Sequence, residues 1–131
     1  RITIVGFEKN GYTIGKKLKK IIEKEQDITI SLHKIEHSHS NQYTIKPTLK
    51  KETLKNIFLV DDVLKSGKTI IYGITEILKH DINSLKTIIL VNRNHHKFPV
   101  SADYVGLNLS TTLKNHIEVV LTEKIEIVYL T

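Results

Sequence analysis

The chain has 131 residues, of which 40% are apolar and 26% charged. That is enough to bury a core without crosslinks, and it excludes disordered, collagen-like and disulfide-stapled classes. There is no cysteine, hence no disulfide framework or thiolate metal site, which fits a reducing, cytoplasmic setting. No apolar run approaches the roughly 20 residues of a membrane span, and a net charge of +6 suits phosphates, nucleotides or RNA without choosing among them.

In chain order, Ile2 to Phe7 is β-branched and apolar and reads as a strand. Gly11 precedes a helical pattern with Ile14, Leu18, Ile21 and Ile22 on its inner face and Lys16, Lys17, Lys20 and Lys24 on its solvated side. Ile28 to Leu32 alternates as a second strand, and Glu36 to Thr48 is polar and predicts a long loop. Beyond the lysine-rich connection Lys50 to Asn56, Ile57 to Val60 is a continuous apolar run, the pattern of a central parallel strand covered on both faces. A helix is expected from about Lys68 to Lys79 with Ile70, Ile71, Ile74, Ile77 and Leu78 inward, then a buried strand at Thr87 to Val91. Shorter strand candidates follow at Tyr104–Val105, Ile117 to Leu121 and Ile125 to Leu130. This alternation predicts a single α/β domain over residues 1–131, with a mostly parallel central sheet flanked by helices. Because the chain opens directly on a strand, further N-terminal structure is expected before Arg1.

Asp61 and Asp62 follow the central strand, where open α/β sheets place their ligands. Lys65-Ser66-Gly67-Lys68-Thr69 then turns into a helix, so backbone N–H groups, two hydroxyls and the positive end of the helix dipole converge. Carboxylates suit ribose hydroxyls or a hydrated magnesium ion, and the amide nest suits a monophosphate. An isolated pair of aspartates could merely cap a turn; here the pair is joined to an apolar strand and a phosphate loop. A Walker A loop needs a glycine where Asp62 stands, which argues against an ATPase. A receiver domain would carry its paired acids on its first strand.

The segment Ile57 to Thr69 resembles the PRPP-binding motif of type I phosphoribosyltransferases: apolar strand, two acids, two apolar residues, then a hydroxyl-Gly-x-Thr loop. The resemblance implies that Asp61 and Asp62 hold the ribose hydroxyls and Mg2+, directly or through water, while Lys65, Ser66, Gly67, Lys68 and Thr69 hold the 5′-phosphate. Val5 to Tyr12 looks like the family's pyrophosphate loop, which implies pyrophosphate binding by Lys9, Asn10 and Gly11, a catalytic part for Lys9 beside Asp61 and Asp62, and a non-proline cis peptide before Lys9. Leu90 to His95 and Phe98 to Gly106 resemble the base-binding ends of the pyrimidine-operon attenuator group, which is also a uracil phosphoribosyltransferase, and of the hypoxanthine-guanine enzymes. That likeness implies base contacts from Asn92, Tyr104 and Val105.

Three departures bear on the base. Asn92 replaces the lysine of purine enzymes and the aspartate usual in the attenuator group; Lys65 replaces a purine-site acid; Asn94 and His96 replace the attenuator's Gly and Arg. An ammonium facing purine N7 argues against purine, so uracil is the preferred acceptor. His37 and His39 have no third metal ligand at suitable spacing, and a solvated loop accounts for them. His95 and His96 lie beside the expected base pocket. The reading is therefore a PRPP-dependent, magnesium-assisted transferase, with a homodimer implied by the resemblance alone. Its alternative is a pyrimidine-nucleotide-sensing, RNA-binding attenuation regulator with little or no catalysis; the chain has the lysines for RNA but not the interleaved aromatics of stacking modules.

Overall fold

The computed structural model describes residues 2–40, 42–93, 97–108, 117–121 and 126–130. The elements are β1 (Ile2–Phe7), α1 (Asn10–Glu25), β2 (Ile30–His37), β3 (Tyr43–Lys46), a 3₁₀ turn (Lys51–Thr53), β4 (Asn56–Leu64), α2 (Lys68–Ile77), β5 (Ser84–Asn92), β6 (Tyr104–Asn108), β7 (Ile117–Leu121) and β8 (Glu126–Leu130). Six strands form one sheet in the order β3-β2-β1-β4-β5-β6, and β7 pairs with β8 in a separate two-stranded sheet. Every neighbouring pair of the large sheet is parallel except β2–β3. The expected α/β domain with a mostly parallel sheet is therefore what forms.

The two helices cover opposite faces because β4 is apolar on both. Ile14, Leu18 and Ile22 of α1 pack on Ile4, Ile30 and Val60, with Phe58 and Ile88 alongside. Ile70 and Ile77 of α2 join Val5, Phe7, Ile57, Leu59 and Ile89 on the other face. Leu59 and Val60 are fully buried, as the two-layer cover of a central parallel strand requires. Each such aliphatic contributes about 1.5–3 kcal/mol on burial.

Several boundaries differ from the sequence expectation. β2 starts two residues later than Ile28 because its register with β1 begins at Ile2 opposite Ile30; Ile28 is left 36% exposed. The segment expected as one long loop from Glu36 to Thr48 instead holds the end of β2 and all of β3. Ile35 faces Ile45 and His37 faces Tyr43 in an antiparallel hairpin, with Lys46 bridging to Glu36 at 3.2 Å. Burial of Ile45 on the α2 side supplies the apolar reason for the pairing. Ile21 and Leu78, expected inward, are 59% and 57% exposed: Ile21 falls at the margin of the Ile14-Leu18-Ile22 stripe, and Leu78 is the C-cap of a helix that ends at Ile77. β4 runs past Val60 to Leu64, so both aspartates lie within it, and β6 extends beyond Val105 to Asn108. β8 begins at Glu126; Ile125, like Asn94, His95 and His96, lies outside the described residues.

A candidate sugar-phosphate site

The sheet order reverses between β1 and β4, the switch point at which open α/β sheets form a crevice beyond their carboxyl ends. Pairing between β1 and β4 ends at Gly6 opposite Val60, while β4 stays paired with β5 as far as Leu64. Asp61 and Asp62 therefore stand one step beyond the end of the β1 ladder. Strand alternation sends them to opposite faces, Asp61 with Leu59 toward α2 and Asp62 with Val60 toward α1.

Each carboxylate is oriented by backbone. Asp61 Oδ1 accepts from the Asp62 N–H at 2.8 Å, and Asp62 Oδ1 accepts from the Val63 N–H at 2.8 Å. The Asn10 side-chain amide donates to Asp62 Oδ2 at 3.0 Å, tying the start of α1 to the end of β4. Burial holds the Asp61 carboxyl well above the usual carboxylate range, reinforced by the neighbouring Asp62 charge and opposed by the Asp62 N–H and the Lys65 ammonium. A buried carboxyl of this kind is a group waiting for a cation or a donor.

Both turns that flank the crevice depend on a glycine. Gly67 has φ +93°, and an added Cβ would come within 2.4 Å of Val100 Cγ1, so only glycine fits as the N-cap of α2. Around it, Ser66 Oγ accepts from the Lys68 N–H at 3.2 Å. The Ser66 carbonyl accepts from the N–H groups of Lys97 and Phe98, both at 3.0 Å. On the other side, a Cβ on Gly11 would lie 2.5 Å from the Val60 carbonyl oxygen, so the 8–11 loop can approach β4 only with glycine there. The Glu8–Lys9 peptide is cis, as expected, and Glu8 N–H donates to the Ile35 carbonyl at 2.9 Å. Lys9 is exposed and precedes α1 as its N-cap. Neither helix has an acidic residue in its first turn, so neither positive helix end is neutralised from within.

The structure thus gathers Asp61, Asp62, Lys65 to Thr69, Asn10 and Gly11 around one crevice. Asn92 closes β5 beside Leu64 at the same end and is 8% exposed. Tyr104 and Val105 are not brought to that level. Tyr104 pairs with Ile88, four residues before Asn92, about 13 Å back along the strand; its half-exposed ring lies 6.4 Å from Phe58 and 6.0 Å from the Lys86 ammonium. The base contacts expected of Asn92, Tyr104 and Val105 together do not form one patch here.

Two contributors were not read from the sequence. The 97–100 segment buttresses Gly67 from a stretch without periodicity. Tyr43 of β3 packs its ring against Phe7 and Tyr72; burial raises its hydroxyl's pKa, the Thr69 side chain opposes the rise, and Tyr72 and Asp61 add to it. The Tyr43-Thr44-Ile45-Lys46 alternation was the available signal.

Among the described residues no cluster of three or more His, Asp or Glu side chains could hold a metal by itself. Magnesium keeps most of its waters and is usually held by one or two carboxylates plus substrate oxygens, so a site of this kind need not supply a protein cage. No helix among the described residues is long and apolar enough to cross a membrane.

Comparison with known proteins agrees with this geometry. The phosphoribosyl transferase domain matches residues 1–124. The bifunctional protein PyrR of Clostridioides difficile is 33% identical over 140 residues, covering 93% of this chain and 75% of that protein. PyrR of Clostridium novyi is 28% identical over 133 residues with the same coverage. Among solved structures, the hypoxanthine phosphoribosyltransferase of Trypanosoma cruzi superposes with a TM-score of 0.71 at 17% identity, over 88% of this chain and 64% of that one. The Staphylococcus aureus hypoxanthine enzyme gives 0.67 at 22%, over 86% and 64%. At these identities the structures speak to fold alone, and the chain spans just under two thirds of their length. Family match and relatives point the same way: the chain belongs to the phosphoribosyl transferase domain family.

Proposed function

We propose that the protein transfers ribose 5-phosphate from PRPP to a nucleobase, uracil preferred, with release of pyrophosphate. The observation that carries this is the pairing of two aspartates at the end of β4 with a glycine-capped loop opening α2, across from the 8–11 loop. The carboxylates suit the ribose hydroxyls, the 65–69 amides and hydroxyls suit the 5′-phosphate, and Lys9, Asn10 and Gly11 suit the pyrophosphate.

The reaction breaks the bond between ribose C1 and the pyrophosphate oxygen as the base nitrogen approaches. Charge grows positive on the sugar and negative on the leaving group, so holding donor and acceptor in line and matching those charges is most of the catalysis. In this reading Asp61 and Asp62 favour a cationic ribose and Lys9 favours departing pyrophosphate. Magnesium, held by the aspartates directly or through water, would supply further charge neutralisation. Lys65, exposed and drawing the Asp61 carboxyl's pKa down, favours an acceptor that presents a carbonyl oxygen over a purine whose N7–H calls for a carboxylate to accept its proton. Asn92 is the base-contact residue best placed for this; Tyr104 and Val105 belong to the base site only if β6 is approached from its open side. A cytoplasmic homodimer fits the family.

The relatives' description as bifunctional, together with the net charge of +6, supports a second reading: a pyrimidine-nucleotide sensor that binds RNA and turns over little. Pyrophosphate release from PRPP with uracil, hypoxanthine, guanine, adenine and xanthine separates the two. Turnover with uracil supports the enzyme. No turnover with any base, combined with tight uridine nucleotide binding, supports the sensor. Nucleotide affinity untouched by Asp61→Asn removes the site from both.

A further inference from the structure

The connection between β5 and β6 is tied to the β4–α2 turn at three points. The Arg93 N–H donates to the Leu64 carbonyl at 3.2 Å, carrying the β5–β4 ladder one step further. The N–H groups of Lys97 and Phe98 both donate to the Ser66 carbonyl at 3.0 Å. Val100 packs so closely on Gly67 that a Cβ there would come within 2.4 Å of its Cγ1. The connection is stiff where it makes these contacts. The Val100 N–H donates back to the Phe98 carbonyl at 2.8 Å, closing a three-residue turn about Pro99, whose ring holds φ near the value such a turn uses.

A carbonyl oxygen that accepts two N–H bonds has both lone pairs engaged, so the orientation of the Ser66–Gly67 peptide is fixed from that side. This peptide is trans, and in a planar trans peptide the N–H points opposite to the carbonyl. The carbonyl is turned toward the β5–β6 connection, which lies on the far side of β4 from β1. The Gly67 N–H is therefore turned the other way, toward the β1/β4 crevice, at the start of a helix with no acid in its first turn. A flip of this one peptide would set a carbonyl oxygen where a bound phosphate needs a donor.

We infer that the β5–β6 connection is a positioning element for the phosphate seat: the main-chain N–H groups of Lys97 and Phe98 hold the Ser66 carbonyl back and so aim the Gly67 N–H at the 5′-phosphate. This rests on the reading of the 65–69 loop as that seat. The donor is fixed before the ligand arrives, so little ordering remains to be lost on binding. The side chains of Lys97 and Phe98 are exposed and take no part.

The test uses the full chain with ribose 5-phosphate and pyrophosphate as separately titrated probes. Phe98→Pro removes one of the two donors, whereas Phe98→Ala keeps it and removes only the ring. Phe98→Pro is expected to weaken ribose 5-phosphate by roughly 5- to 10-fold, to leave pyrophosphate unchanged, and to raise KM for PRPP with little change in kcat. Phe98→Ala should bind both ligands as wild type. Ribose 5-phosphate should move the Gly67 amide proton downfield in wild type and in Phe98→Ala, and by less in Phe98→Pro, a signature that lost packing alone does not give. Replacing Phe98 by its α-hydroxy acid removes the same N–H with the side chain intact and should reproduce the loss even where the proline ring disturbs the turn. Wild-type affinity in that main-chain ester, an equal loss in Phe98→Ala, or a parallel loss of pyrophosphate would overturn the inference while leaving the phosphate seat in place. A wild-type protein that binds no ribose 5-phosphate overturns the seat and the inference together.

Discussion

Two strand-to-helix turns face each other across the β1/β4 crevice, and they are built differently. The β4–α2 turn carries two aspartates, a left-handed glycine and a serine that receives the Lys68 N–H. The β1–α1 turn carries exposed Glu8 and Lys9 and a glycine pressed against the Val60 carbonyl. Both present the start of a helix with no acid in its first turn, but the first joins two aspartates to Lys65 and Lys68, whereas the second sets Lys9 beside Glu8. On the proposed reading, the first turn takes the ribose and its 5′-phosphate and the second takes the pyrophosphate.

Breaking the first turn should cost most. Asp61→Asn is expected to lower PRPP turnover by at least roughly 100-fold, the scale for removing a preorganised charge-stabilising group. The same change should stabilise the ligand-free protein by about 1 kcal/mol, because burial and the Asp62 charge outweigh the Asp62 N–H and Lys65 contacts of the Asp61 carboxylate; a thermal melt checks the sign. Gly67→Ala should destabilise by about 2 kcal/mol, since φ +93° and the Val100 contact both oppose a Cβ, and should reduce ribose 5-phosphate affinity alongside. Lys9→Ala should weaken pyrophosphate by roughly 10-fold, the worth of one charge-assisted contact, without changing ribose 5-phosphate. Equal losses of both ligands would erase the division between the turns.

The smallest effect is one of pH. The Asp61 carboxyl sits above its unfolded value because of burial and Asp62. Its contribution to stability is therefore fully present below the unfolded value and lost as pH rises through the raised one. The melting temperature of the ligand-free protein should fall over that interval, while magnesium-dependent PRPP binding, which needs the carboxylate, should strengthen over the same interval. Asp61→Asn should flatten both profiles.

The first turn was legible in sequence because its chemistry is local: the acids, the hydroxyls and Gly67 are consecutive, and the apolar run before them marks a strand. Tyr43 was not, since its position depends on a hairpin whose Ile35–Ile45 pairing spans a polar stretch that reads as loop. The 97–100 buttress is similarly non-local, visible only once Lys97 and Phe98 donate to Ser66. Strand ends shifted for a related reason: Ile28 and Ile30 look alike in sequence, and the β1 register alone selects Ile30. Tyr104 shows the converse, a residue singled out by family resemblance that opens β6 and lies four residues short of the sheet's carboxyl end at Asn92 and Asn108.

Backbone amide chemical shifts followed during separate titrations with ribose 5-phosphate and with pyrophosphate, magnesium present, test the division most directly. Ribose 5-phosphate should move the amides of Ser66 to Thr69 and leave Lys9 to Gly11 nearly still. Pyrophosphate should do the reverse, and PRPP should move both. If ribose 5-phosphate and pyrophosphate perturb the same turn, or neither perturbs the crevice, the two-ended site is contradicted.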